Sequence, residues 1–116
     1  MATPALVASL AVAALHVVFF VLESVLWTTA TGRRIFGQSR DDAQTTRVLA
    51  LNQGAYNAGV AALLAWAALT DRGDTATALL AFIVAMGVVG GVTAKPTILA
   101  LQAAPAALAL ALLHLA

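Results

Sequence analysis

The chain has 116 residues, of which 62% are hydrophobic and only 9% charged, with a formal net charge of +1. Soluble domains carry about a quarter charged residues, and a short chain leaves much of its surface in contact with its solvent; this composition therefore argues against a water-soluble fold and for an integral membrane domain. The absence of cysteine excludes disulfides, thiol nucleophiles and thiolate metal sites, and the near-neutral charge gives no basis for nucleic-acid binding.

In chain order, Met1-Ala2-Thr3-Pro4 lacks the basic region of a secretory leader, and the apolar run behind it is longer than a leader needs, so no cleaved signal peptide is expected. Four apolar segments follow, each near the roughly 20 residues that a spanning helix requires. The first runs from about Pro4 to Trp27. A polar connection, Thr28 to Arg47, is long enough for a short surface helix, and Asp41-Asp42 are placed to cap the next span. Span two covers about Val48 to Leu69 and is ended by Asp71-Arg72-Gly73-Asp74. Span three covers about Thr75 to Ala94, Lys95-Pro96 makes a tight turn, and span four covers about Thr97 to Leu115. The runs are long and Ala/Leu-rich without period-2 alternation, which disfavours strands. The expected fold is an all-α integral membrane protein, an antiparallel four-transmembrane-helix bundle forming one domain over residues 1–116.

Basic residues in short loops set orientation. Arg33, Arg34, Arg40 and Arg47 precede span two and Lys95 follows span three, all on one side, whereas Arg72 alone lies opposite. Both termini are expected outside and the Arg-rich connection in the cytoplasm.

Glu23 is the only carboxylate between Ala5 and Trp27, and His16 lies seven residues earlier. Charged groups in hydrocarbon are costly and usually face a protein interior or a water-filled cavity. His16, Phe20, Glu23 and Trp27 step by four, three and four, as one helical stripe would. On span two, Asn52, Tyr56 and Gly59 form a second stripe, with Gln53 and Asn57 paired beside it. At 1.5 Å per residue, Glu23, Asn52 and Gln53 come about 6–8 Å inside the cytoplasmic boundary, and Tyr56, Asn57 and His16 about 12–16 Å. Gln102 on span four reaches a similar depth, near Pro105, a kink position. This one-sided clustering predicts a shared polar pocket in the cytoplasmic half.

Each residue also has a plainer reading. Asn52, Gln53 and Asn57 can act as interhelical glue. Glu23 can snorkel towards Arg33 or Arg34, and His16 can be a neutral imidazole bonded to Tyr56 or Asn57. Trp27 and Trp66 suit interfacial belts. Gly87 and Gly91 make a small-xxx-small step for close packing, within one chain or between two. His114 is expected to be inert. Phosphate loops, nucleophile elbows, dinucleotide motifs and zinc-type histidine pairs are all missing from the sequence, so no cofactor and no metal site is expected.

Taken together, Glu23-Ser-Val-Leu-Trp27-Thr-Thr, Gly32-Arg-Arg-Ile-Phe36-Gly37, Asn52-Gln53-Gly54-Ala-Tyr56-Asn57, His16 upstream and Gln102 with Pro105 downstream resemble a family of small bacterial membrane proteins catalogued as domain of unknown function 1304. The resemblance covers essentially the whole chain. It implies a four-helix protein of the bacterial inner (plasma) membrane and assigns no biochemical activity. Small multidrug-resistance transporters share the length, the four spans and one Glu in the first span, but their surrounding motif is not matched here.

Three functions fit these residues. The first is binding, or isomerase-like acid/base chemistry, on a small lipophilic molecule, with Glu23 and His16 as the acid/base pair and Asn52, Gln53, Tyr56, Asn57, Gln102 and Trp27 as ligand contacts. The second is a proton-coupled transporter of small solutes, acting as a homodimer. The third is a non-catalytic membrane partner protein.

Overall fold

The computed structural model describes residues 1–115, in which helices joined by short turns are present and strands are not. Helix α1 (Thr3–Phe20) runs directly into a π-helical turn, Val21–Val25. Two short helices follow, α2 (Ala30–Phe36) and α3 (Arg40–Thr45), and then the long α4 (Arg47–Leu69) and α5 (Gly73–Thr93). A second π turn, Leu99–Ala103, leads into α6 (Ala104–Leu115). Three helical runs are long and apolar enough to cross a bilayer: Thr3–Val25, Arg47–Leu69 and Gly73–Thr93. Leu99–Leu115 is a shorter apolar helix. The segment expected as span four is thus present as a helix, with its first turn widened.

The chain divides into two compact units. One comprises Met1–Leu15 and Val60–Ala116. Its core is built from Val12, Ala13, Leu64, Ala67, Ala76, Leu80, Ile83, Ala106 and Ala109. Alanine supplies more than half of that cluster, so the helices meet at short range through small side chains. The α5 hairpin closes most tightly where a Cβ on Gly87 would stand 2.6 Å from the Ala103 backbone nitrogen, and one on Gly91 would overlap Leu99. The small-xxx-small step is therefore used inside the chain. At the other end of α5, Asp71 adopts a left-handed backbone conformation with φ 56°, which an Asp tolerates better than most residues. Its carboxylate pairs with the Met1 ammonium, while the Arg72 guanidinium lies 4.8 Å from the centre of the Trp66 ring. His114 Nε2 lies 2.9 Å from Thr77 Oγ1, and that hydroxyl donates to the Gly73 carbonyl. With its proton so engaged, Thr77 can only accept from His114, which fixes a hydrogen on Nε2.

The second unit, His16–Gly59, carries the polar connection. Thr29 caps α2 by accepting from the Gly32 amide at 3.1 Å, and Gly37 ends it at φ 63°, a left-handed position suited to glycine. Ser39 caps α3 by accepting from Asp42 N at 3.1 Å. Asp41 and Asp42 consequently lie in the first turn of α3 and complement its dipole, not that of span two as expected. The reason is local: Ser39 provides a cap upstream of both carboxylates, so a helix starts earlier than hydropathy alone suggests.

Candidate polar site on the second unit

Glu23 sits within the π turn at the end of the first apolar run. Widening a helical turn changes the angular step, so His16, Phe20, Glu23 and Trp27 do not follow one uninterrupted α-helical face. Leu26 N bonds to the Val21 carbonyl at 2.9 Å, completing the wide turn, and the chain then leaves the helix. Trp27 lies just beyond it. The Trp27 indole donates to Thr46 Oγ1 at 3.0 Å, Thr46 Oγ1 in turn donates to the Asp42 carbonyl at 2.8 Å, and the Trp27 ring packs 4.7 Å from Phe36. Trp27 thereby fastens α2 and the end of α3 to the π turn, a structural role that spacing alone did not reveal.

Two further ties join the π turn to α4. Ser24 Oγ donates to the Leu51 carbonyl at 2.9 Å. Directly beside it, a Cβ on Gly54 would overlap Ser24 Oγ and stand 3.0 Å from the Ser24 backbone nitrogen. Gly54 thus permits the approach that brings Asn57, one turn later, to the carboxylate. Asn57 Nδ2 donates to Glu23 Oε1 at 2.5 Å. Asn57 is buried, whereas Glu23 is half-buried. A carboxylate has more acceptor positions than one amide N–H fills, and Glu23 keeps part of its surface open. His16 is fully buried, with its ring edge-on to Phe19 at 5.1 Å between centroids.

The other expected ligand residues are placed differently. Asn52, Gln53 and Tyr56 are exposed, and Tyr56 retains 73% of its surface. Asn52 Nδ2 donates to the Val48 carbonyl of its own helix at 2.8 Å. The buried positions of this stretch of α4 are Ala50, Gly54 and Asn57, a four-then-three step. Of the amides and phenol in the Asn-Gln-Gly-x-Tyr-Asn motif, only Asn57 falls on that face. Gln102 belongs to the other unit, where it lies in the second π turn, half-buried. Both π turns therefore carry one of the polar residues that the sequence singled out, and π turns recur at functional sites. Residues missed by sequence reasoning are Ser24 and Thr46, whose hydroxyls place the turn. Their only signal is the serine next to Glu23 and the match between Trp27 and a hydroxyl at the start of span two.

The family model for Protein of unknown function (DUF1304) matches residues 10–114. The chain belongs to this family. Neither the curated proteins nor the solved structures compared with it gave a match. The matched region of this DUF1304 chain contains the whole Glu23–Asn57 arrangement, both π turns and the capped helices between them. Among the described residues, no group of three or more histidine, aspartate or glutamate side chains is placed to hold a metal ion.

Proposed function

We propose that this chain is a four-span protein of the inner membrane, with both termini outside, in which Glu23 binds a small lipophilic molecule through a hydrogen-bond donor on that molecule. The observation that carries this reading is the state of the carboxylate: Asn57 fixes one oxygen at 2.5 Å while the residue keeps part of its surface open. A carboxylate placed in an apolar run without function would be costly. Here it is oriented by a buried amide and still has an acceptor to offer. A hydroxyl, amine or amide N–H on an otherwise apolar ligand satisfies such an acceptor. Acid/base turnover of the bound molecule is the further step this site allows, with Glu23 as the proton-transferring group.

A second reading is favoured by the same bond. The Glu23–Asn57 pair also ties the first apolar run to α4, as interhelical polar contacts do in membranes. The two readings separate under a lipophilic carbodiimide, which reacts with protonated carboxyl groups reachable from the bilayer. With purified protein in lipid, the binding reading expects one adduct, on Glu23, absent from Glu23→Gln. An unreactive Glu23 in a folded protein would make it a sealed structural tie and remove the binding reading.

A further inference from the structure

Asn52, Gln53 and Tyr56 are exposed on α4, with Asn52 and Tyr56 turned from the buried stripe of Ala50, Gly54 and Asn57 and Gln53 at its edge, one turn before Asn57. Tyr56 is the tenth residue of α4 and so stands about 14 Å from its Arg47 end, while Gln53 stands about 9 Å in. That depth is inside the hydrocarbon of a spanning helix, too far for an aromatic belt residue. The Gln53 amide and the Tyr56 hydroxyl have no hydrogen-bond partner among the described residues, and lipid offers none. Gly59 follows one turn later on the same side, exposed, with open space where a Cβ would stand.

We infer that this face of α4 is the contact between two copies of the chain. The chemistry of the patch fits a second copy. All copies insert with one orientation, so a two-fold axis along the membrane normal brings equal depths together and requires a self-complementary surface. An amide is both donor and acceptor, and so is a phenol. Gln53 can therefore meet the partner's Gln53, and Tyr56 the partner's amide, without leaving a donor facing a donor. A face of one charge sign could not do this. Gly59 lets the two helices approach beyond the polar pairs, as small residues do in membrane helix packing. The contact rests on α4 spanning the membrane, but not on Glu23 binding a ligand; loss of either property leaves the other measurable.

The experiment is single-molecule photobleaching of labelled protein in lipid bilayers at a series of dilutions, for wild type and for Gln53→Leu/Tyr56→Phe. Wild type is expected to bleach in two steps, and the double variant to show a dissociation constant raised about tenfold, with its helical circular dichroism retained. The natural chain has no cysteine, so oxidation of Gln53→Cys should give a covalent dimer, whereas Val18→Cys, exposed on α1, should not. This second arm stands even if the double variant fails to fold. A monomeric wild type, an unchanged dissociation constant in a folded double variant, cross-linking at Val18→Cys but not Gln53→Cys, or a stoichiometric partner of different sequence with no self-association would each overturn the inference.

Discussion

Glu23 and Asn57 show how a single hydrogen bond separates two roles that one residue can hold. Replacing Glu23 by Gln keeps an oxygen to accept from Asn57 Nδ2, so the helix tie persists while the ionisable group is lost. Thermal unfolding of Glu23→Gln is expected to stay within about 0.5 kcal/mol of wild type. Asn57→Leu removes the donor, and its stability should fall by about 1 kcal/mol, the usual worth of a polar contact between membrane helices. Gly54 is the third member of the site, because its missing Cβ admits Ser24. Gly54→Ala is expected to cost about 1–3 kcal/mol by overpacking, and Ser24→Ala in the same chain should recover part of that loss in a double-mutant cycle. At this scale the sequence was legible where chemistry was rare: a lone carboxylate in an apolar run and an amide-rich motif on the next. It was not legible which amide turns inward. Asn52, Gln53, Tyr56 and Asn57 are all polar, and only the packing of Gly54 against Ser24 selects Asn57.

The helices themselves were legible in outline because apolar length and Pro/Gly punctuation dominate in membranes. Their interruptions were legible only in part. The π turn at Val21–Val25 leaves no residue signature of its own, since a wide turn arises from how its neighbours pack, whereas the one at Leu99–Ala103 ends two residues before Pro105, the kink position read from the sequence. Ser39 and Thr29 do carry recognisable capping chemistry, and two short helices follow from them in place of one loop helix. The α5–α6 hairpin gives a graded test. In Gly87→Ala the new Cβ meets the Ala103 backbone at 2.6 Å, so part of the hairpin must shift, whereas in Gly90→Ala it meets the Ile98 side chain, Cγ2 at 3.1 Å and Cδ1 at 3.4 Å. Chemical or thermal unfolding should show a loss of about 1–3 kcal/mol for Gly87→Ala and a clearly smaller change for Gly90→Ala, which also gains helix propensity. Equal losses would mean that the hairpin does not close as tightly as these contacts indicate.

For the whole molecule, composition pointed to a membrane domain, and the structure has three helices long and apolar enough to span a bilayer together with the shorter apolar Leu99–Leu115. The orientation proposed above rests on Arg33, Arg34, Arg40, Arg47 and Lys95 against Arg72. Cysteine placed at Gln38 in intact cells should be shielded from an impermeant maleimide, and cysteine at Asp74 should be labelled; the reverse pattern would invert the topology. The shared pocket was expected from depth and from two helical stripes, but the π turn interrupts the first stripe, and on α4 Asn52, Gln53 and Tyr56 are exposed while Asn57 is buried. The claim that most depends on the site is that Glu23 holds a small lipophilic molecule. Native mass spectrometry with organic extraction, on wild type and Glu23→Gln prepared identically from membranes, tests it most directly. A discrete small-molecule adduct is expected on wild type and not on Glu23→Gln, at unchanged stability. Identical spectra from the two proteins, both folded, would contradict it.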